Sequence, residues 1–528
     1  MRLREHIRSG EASAHSCLNG RTMLCVVALA LTEVRPLREQ MEHRRVTHAN
    51  ETPTTVKQEL GQYFTPGHIA DFMASLFPAA VGDVRVLDPG AGIGCLSCAL
   101  AERIAAENWD VDSISVDAYE IDQSLVEQLR KNLAGCFSGD GCSVNVLNTD
   151  FLSATAASVS NGESRGYTHV IMNPPYKKIR TASREREATK AFGLETVNLY
   201  TAFMGAAIVS AADGGYIVAI VPRSFCNGVY YKPFRDFLLE RCAIERIHLF
   251  DSRDTAFKDE SVLQENIIIM LRKNVPQGDV LLSYSKDGSL KDIQSRRVPF
   301  QSIVNSADQE RYINIPPYEE NETDGALDGM QSSLTDIGIQ VSTGAVVDFR
   351  AKSELRMNYE EGAVPLLYPV HFKNWRVCWP VESKRPNAIM RSGATEKLLL
   401  PRGYYVAVKR FSAKEEKRRL VASIVTPEDF KDEKTAFENH LNVFMQNKHG
   451  LDRHIAYGLT AWLNTTWLDG RFRLFSGHTQ VNATDLRNLP YPTARQLSDM
   501  GRMLEAEREW SQESFDRIAR KVANGRSH

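Results

Sequence analysis

The sequence predicts an α/β chain: a doubly wound domain over a mainly parallel sheet of seven strands, then a separate α+β domain. Three observations carry this. From Gly61 to about Lys273, apolar runs alternate with amphipathic helical stretches. A glycine-rich turn, Asp88-Pro89-Gly90-Ala91-Gly92-Ile93-Gly94, follows the first run directly. Beyond Asn274 the rhythm breaks into polar, irregular sequence and then a mix of short β-like and helical segments.

The strands are expected at Val84–Asp88, Ile114–Tyr119, Val144–Leu147, Thr168–Met172, Tyr216–Val221, Glu245–Leu249 and Glu265–Leu271. Between them fall helical stretches at Cys95–Asn108, Asp122–Ala134, Thr196–Ala212 and Lys232–Arg241. Apolar strands separated by helices imply a sheet covered on both faces. The last two strands have only a loop between them, which predicts an antiparallel hairpin at the sheet edge. In the second half, Tyr404–Val408 reads as a strand, and Phe437–Met445 and His454–Thr465 read as helices. Leu497, Met500, Leu504, Phe515, Ile518 and Val522 recur at helical spacing near the end. The expected organisation is a poorly ordered extension at 1–40, a catalytic domain at 41–275, an irregular linker at 276–335, a second domain at 336–492 and terminal helices at 493–528.

With 528 residues, 43% hydrophobic and 25% charged, the chain has ample core for two or three domains. Its net charge of −2 excludes a polycation. The charge is uneven, however. Between Ala345 and Leu420 there are 16 Lys/Arg against 8 Asp/Glu, so that stretch carries +8 and the remainder about −10. Such asymmetry suits one face built for a polyanion, although a solvated basic surface reads the same way. Nine cysteines lie without framework spacing, as expected of reduced thiols in a cytoplasmic protein. Cys95-Leu96-Ser97-Cys98 lacks a second pair to complete a zinc site and reads as structural, and no metal is expected. Met23–Leu31, the longest apolar run near the start, is too short to span a bilayer. Residues 1–40 look unlike the rest, and Met41 reads as an alternative start.

The glycine turn lets backbone approach a ligand closely and opens a helix. No Lys-Ser/Thr follows it, so it is not a phosphate loop. Two later acidic positions specify the ligand. Glu120 ends the second strand, where a carboxylate accepts from both hydroxyls of a ribose. Asp150 and Phe151 end the third, where a carboxylate meets an adenine amino group and a phenyl ring its face. The set Asp88, Gly90, Gly92, Glu120, Asp150 and Phe151 therefore suits S-adenosylmethionine on a Rossmann-like fold. The turn Tyr63-Phe64-Thr65-Pro66, ahead of the first strand, is placed to close over the methionine portion.

Asn173-Pro174-Pro175-Tyr176 follows the buried run Thr168–Met172. A ring-conjugated amine is a poor nucleophile, because its lone pair is delocalised. The Asn173 side-chain carbonyl and the Pro174 backbone carbonyl can accept from both N–H groups and redirect that lone pair, with the prolines fixing the loop. Tyr176 offers a ring face to an extruded base. The transfer is then a direct displacement without a covalent intermediate.

In the order of these elements the chain resembles the gamma-class, TaqI-like adenine-N6 DNA methyltransferases of type II restriction–modification systems, over residues 61–275. By that resemblance Tyr63, Phe64, Thr65 and Pro66 line the methionine pocket. Asp88, Gly90 and Gly92 hold the cofactor backbone, Glu120 its ribose, and Asp150 and Phe151 its adenine. Asn173, Pro174, Pro175 and Tyr176 form the catalytic loop. Val262–Asn266 and Ser476–Arg487 are similar to the PstI/BsuBI-like subset, which modifies six-base palindromes such as CTGCAG. The resemblance implies a cytoplasmic, nucleoid-associated monomer, duplex DNA with a flipped adenine as partner, and a separately encoded endonuclease for the same site. Residues 336–492 would be the target-recognition domain, with Phe349-Arg350, His371–Arg376, Lys384-Arg385, Lys409-Arg410-Phe411 and Gly477–Arg487 facing DNA.

Other readings share the motif. Protein-glutamine and ribosomal RNA methyltransferases also use Asn-Pro-Pro-Tyr, but usually lack a basic domain of this size. A non-catalytic DNA specificity subunit is disfavoured by the intact acidic and Asn173 positions. Cytosine N4 involves similar amine chemistry, usually with Ser in place of Asn.

Overall fold

The computed structural model of the chain describes residues 38, 40–42, 64–180, 182–250, 266–305, 308–316, 327, 329–412, 416–475 and 480–525. They form two compact units. The first comprises the described residues up to Pro222 together with Phe237–Gln294, and the second comprises Arg223–Asp236 together with those from Ser295 onward.

The first unit alternates strand and helix. Its elements are α1 (Gly67–Ser75), β1 (Val81–Pro89), α2 (Cys95–Ala106), β2 (Asp110–Tyr119), α3 (Gln123–Cys136), β3 (Cys142–Leu147), α4 (Phe151–Ser160), β4 (Tyr167–Met172), α5 (Arg184–Ala191), α6 (Leu199–Ser210) and β5 (Ala211–Pro222). Then come β6 (Cys242–Phe250), β7 (Asn266–Lys273) and β8 (Val280–Ser285), while α7 (Lys232–Arg241) and β9 (Gln294–Val298) each span the division in sequence between the two units. The sheet order is β3-β2-β1-β4-β5-β7-β6-β8-β9. β1 to β5 are parallel, and β7 runs antiparallel to both of its neighbours. Val170, Ile171 and Met172 on β4, and Ile217 to Val221 on β5, are fully buried, as strands covered on both faces must be. The chain leaves β1 toward β2 on one side and returns as β4 on the other. β1 and β4 therefore flank the switch point, where α/β sheets hold ligands at the carboxyl ends of their strands.

Several features depart from the sequence reading. The sheet has nine strands rather than seven, because Val280–Ser285 and Gln294–Val298, expected to be irregular, extend it. β8 pairs parallel with β6 through a six-residue run, mostly buried, that is too short to stand out from its polar flanks. The antiparallel pair β6/β7 is not at the edge, since β7 inserts between β5 and β6. Finally, Arg38 and Met41 pack with the first unit. Met41 is buried in its core, while Arg38 pairs with Asp71 and Glu102 and donates to the Gly67 carbonyl, so the packed fold extends at least to Arg38. The expected hairpin loop, Tyr63, residues 1–37 and residue 39 lie outside the described residues. Cys98 and Cys136 are joined as a disulfide between α2 and the end of α3, correcting the expectation of uniformly reduced thiols.

From Ser295 onward the second unit carries a short helix, α8 (Phe300–Ile303), and its described residues hold two sheets. One is ordered β10-β20-β17-β18-β14-β13 from β10 (Gln340–Thr343), β13 (Phe372–Lys373), β14 (Arg376–Val377), β17 (Tyr405–Lys409), β18 (Ala422–Val425) and β20 (Leu441–Met445). The other is ordered β11-β15-β12-β19-β16 from β11 (Leu355–Arg356), β12 (Ala363–Leu367), β15 (Ala388–Met390), β16 (Leu400–Pro401) and β19 (Lys434–Phe437). Helices α9 (Arg453–Leu463), α10 (Thr466–Phe475), α11 (Ala483–Arg487), α12 (Ala494–Ala506) and α13 (Gln512–Ala523) follow. Phe437–Met445 is not a helix. Glu438-Asn439-His440 turn the chain between β19 and β20, and Leu441 to Met445 are all buried, so helical periodicity was mimicked by a strand hidden on both faces. The six apolar terminal residues are all buried on α12 and α13, as their spacing predicts.

α9 and α12 cross with their backbones nearly touching. A Cβ on Gly458 would fall 1.8 Å from the Leu497 carbonyl oxygen, and one on Gly501 would fall 1.8 Å from that of His454. Alanine normally favours a helix by about 1 kcal/mol over glycine. Here Gly501→Ala is expected to destabilise by about 2 kcal/mol or more, because the backbones must separate. Urea denaturation of the variant measures the sign directly.

His169, on β4, lies among Phe77, Trp109 and Tyr216 with its Nε2 unpaired among the described residues. Burial lowers its pKa to about 4. The unfolded chain takes up a proton near pH 6.5 and the folded one does not. Stability from this residue is therefore complete above pH 6.5 and is lost as the pH falls toward 4, by roughly 3 kcal/mol. Tm measured from pH 7 to 4 is expected to fall less steeply in His169→Phe than in the wild type.

Candidate active site

A cavity of about 230 Å³ opens where β1, β2 and β4 end. The glycine turn forms its floor. Gly90 and Gly92 have φ of 79° and 57°. The amides of Gly90 and Ala91 donate to the Tyr119 carbonyl at 2.9 and 2.8 Å, tying the turn to the end of β2. Gly92 is required by space as well as by conformation, since a Cβ there would lie 3.0 Å from Phe64 Cε1.

Glu120 binds the same turn from the other side. Its Oε2 accepts from the Gly92 amide at 2.8 Å and its Oε1 from the Asp122 amide at 2.7 Å. Burial raises its pKa, and these amides oppose the rise. Asp150 caps α4, its Oδ2 accepting from the Ser153 amide at 3.0 Å. Phe151 packs edge-on to Tyr119 at 5.1 Å and against Phe203 at 5.5 Å.

Asn173 follows β4 at the cavity wall. Its Nδ2 donates to Thr65 Oγ1 at 3.1 Å, and its Oδ1 accepts from the Tyr176 hydroxyl at 2.9 Å. The Tyr176 hydroxyl also lies 3.1 Å from the Ile220 carbonyl, and its ring sits edge-on to Tyr200 at 6.3 Å. Past the diproline, the Lys177 carbonyl accepts from Leu199 N and Ile179 N donates to the Val197 carbonyl, both at 2.8 Å, which anchors the loop to the start of α6.

Of the residues singled out from sequence, the cavity is lined by Phe64, Thr65, Gly90, Gly92, Glu120, Asp150, Phe151, Asn173 and Pro175. Pro66 is buried behind it, its carbonyl accepting from Ile69 and Ala70 at the start of α1. Asp88 is fully buried beneath the turn. Its Oδ2 accepts from Ser97 Oγ at 2.7 Å, its Oδ1 has no partner among the described residues, and burial raises its pKa to about 7. Pro174 is buried, and the Tyr176 side chain faces inward. Sequence reasoning missed Ile121, Asp122, Lys177, Glu185 and Phe203. Phe203 lies one helical turn beyond Leu199, and Lys177 directly follows the motif, so both were within reach of the periodicity.

The cavity suits S-adenosylmethionine. Its wall carries the carboxylates of Glu120, Asp122, Asp150 and Glu185 against one lysine, Lys177, among the described residues, together with the rings of Phe64, Tyr119, Phe151 and Phe203. An acidic, aromatic-walled site favours a cationic nucleoside without phosphate over a dinucleotide.

The Eco57I restriction-modification methylase family matches residues 96–257. The type II methyltransferase M.BsuBI of Bacillus subtilis is 46% identical over 84% of this chain and 90% of its own length. M.PstI of Providencia stuartii is 41% identical over 88% of this chain and 93% of its own. The chain belongs to the type II restriction–modification methyltransferases. It is thus an S-adenosylmethionine-dependent DNA methyltransferase. M.AccI of Acinetobacter calcoaceticus is 25% identical over 49% of this chain and 45% of its own length. Among the described residues of the methyltransferase, no helix is long and apolar enough to cross a membrane.

Removing the Glu120 carboxylate leaves two backbone amides without their acceptor, Gly92 in the turn and Asp122 after β2. Glu120→Ala is expected to weaken S-adenosylmethionine binding about tenfold or more. Calorimetric titration of the purified protein measures this, and an unchanged dissociation constant would refute the ribose assignment.

Proposed function

We propose that the enzyme methylates adenine N6 at a short, specific duplex site, acting as a monomer on a flipped base and protecting the site from a separately encoded endonuclease. In this reading it is cytoplasmic and associates with the nucleoid. The observation that carries the proposal is the Asn173 amide, fixed at the cavity wall by Thr65 on one side and Tyr176 on the other.

Bound S-adenosylmethionine supplies an electrophilic methyl group on a sulfonium. Glu120 would hold its ribose hydroxyls, Asp150 and Phe151 its adenine, and Phe64 and the glycine turn its methionine end, with Tyr63 and Pro66 flanking that turn by the family pattern. Asp88 acts from beneath, through Ser97 and the turn it supports. Asn173 Oδ1 accepts from one N–H of the target amine and the Pro174 carbonyl from the other, concentrating the lone pair on nitrogen. A carbonyl oxygen can accept two hydrogen bonds, so Tyr176 orients the Asn173 acceptor without using it up. Pro175 stiffens the loop, and positioning supplies most of the acceleration. The Tyr176 ring, packed inward by its hydroxyl contacts, would turn outward to stack on the flipped base once Asn173 has engaged the amine, leaving Thr65 to hold the amide.

Tritiated-methyl transfer to unmethylated plasmid, with separation of the product nucleosides, tests the assignment. The expected product is N6-methyladenine. It should fall about 10²-fold or more in Asn173→Ala, with cofactor affinity kept. Label in cytosine, RNA or protein would overturn the reading. Thr65→Val, which removes the amide's acceptor without changing volume, should lower kcat about tenfold, a larger effect than on the cofactor dissociation constant. Thr65→Ser should restore most of the rate.

A further inference from the structure

In the second unit, three distant stretches of sequence meet at one exposed ledge. The Arg410 amide donates to the His440 carbonyl at 2.9 Å, and the Val481 amide donates to the Arg410 carbonyl at 2.7 Å. Phe411 and Gln480 form an antiparallel bridge. The end of β17, the turn between β19 and β20, and the segment leading into α11 are thus woven together. This brings side by side Phe411, His440 and Gln480, each at least partly open to solvent.

The ledge is held more firmly than a surface patch needs. Glu438 is fully buried, and both of its oxygens face His440: Oε1 lies 2.6 Å from the ring Nδ1, and Oε2 accepts from the His440 amide at 2.8 Å. A buried carboxylate is costly unless matched. Here it fixes one imidazole, leaving 38% of that side chain exposed. The ring is further set by Phe411, whose centroid lies 5.0 Å away. Arg410 plays the same part for Gln480. Its guanidinium donates to the Asn439 carbonyl at 3.1 Å and to Gln480 Oε1 at 3.4 Å. Bonding at Oε1 fixes the amide orientation and points the Nε2 donors away from the arginine.

An oriented imidazole edge and an oriented amide, flanked by an exposed ring, match the edge chemistry of a base pair in the major groove, where fixed donor positions distinguish one base from another. By contrast, much of the other basic-aromatic sequence is spent internally. His371 is fully buried and bonded to Asn387, Trp375 packs on Phe515, and Arg376 lies over Trp510 at 3.9 Å. Lys409 pairs with Glu416, and Arg385 pairs with Asp348.

We infer that His440 and Gln480, oriented by Glu438 and Arg410, read base edges of the recognition duplex and set which sequence is methylated. The inference rests on the proposed activity on duplex DNA. Its ligand is an acceptor-bearing major-groove edge, the amide donors of Gln480 meeting N7 or O6 of a purine and His440 the neighbouring position.

A plasmid library with a randomised hexamer, methylated to completion and sequenced for modified bases, supplies the test. Wild type, His440→Ala, Gln480→Ala and Glu438→Gln are compared. Each is first checked for its melting temperature, and Gln480→Ala disturbs no buried charge. The expected result is a motif relaxed at one position of each half-site, with discrimination there reduced about tenfold or more and the other positions kept. Glu438→Gln should relax the same position as His440→Ala, because it acts through that ring. An unchanged motif in Gln480→Ala and His440→Ala overturns the inference. So does a uniform loss of affinity with a shallower salt dependence, which marks a phosphate contact. If wild type modifies a base other than adenine, the adenine assignment falls while the comparison of motifs still stands.

Discussion

A single side-chain amide, held at both ends, is the constraint around which the first unit is organised. Asn173 stands one residue beyond β4, whose last three residues are fully buried. Its nitrogen donates to Thr65, just before α1, and its oxygen accepts from Tyr176, which also reaches the Ile220 carbonyl on β5. Segments more than 100 residues apart in sequence are thereby fastened to one planar group. Both partners are hydroxyls, each able to donate or accept, so together they tether the plane of the amide before any substrate arrives.

The cofactor side is built by the same logic with backbone donors. Glu120 accepts from Gly92 and Asp122, and Tyr119 accepts from Gly90 and Ala91, so the glycine turn and the end of β2 form one hydrogen-bonded unit. Phe64 rests on Gly92 and belongs to the core. The element ahead of β1 thus touches both the glycine turn and the Asn173 amide, through neighbouring residues Phe64 and Thr65.

Much of this was legible in the sequence, because strand ends, a glycine turn and a diproline are local signals. β1 to β7 fall where the apolar runs lie, and nine of the singled-out residues line the cavity. What was not legible depends on partners distant in the chain. Asp88 reads like a ligand but is bonded to Ser97 beneath the turn. The inward turn of Tyr176 requires the Ile220 carbonyl, whose place only the register of β5 on β4 supplies. Leu441–Met445, the core of the stretch read as a helix, has both faces covered, so strand and helix cannot be told apart by period. His371 and Trp375 looked like nucleic-acid contacts from composition, yet pack inside.

The position of β7 has a consequence for synthesis. It completes the gap between β5 and β6, although it is made after both. Until residue 273 has left the ribosome, the inner edges of β5 and β6 have no strand to pair with, and their rows of apolar residues stay open to other chains. A nascent chain halted before that point would expose a sticky cleft in its half-built sheet, which makes the stretch just after β6 the interval in which this protein most needs a chaperone.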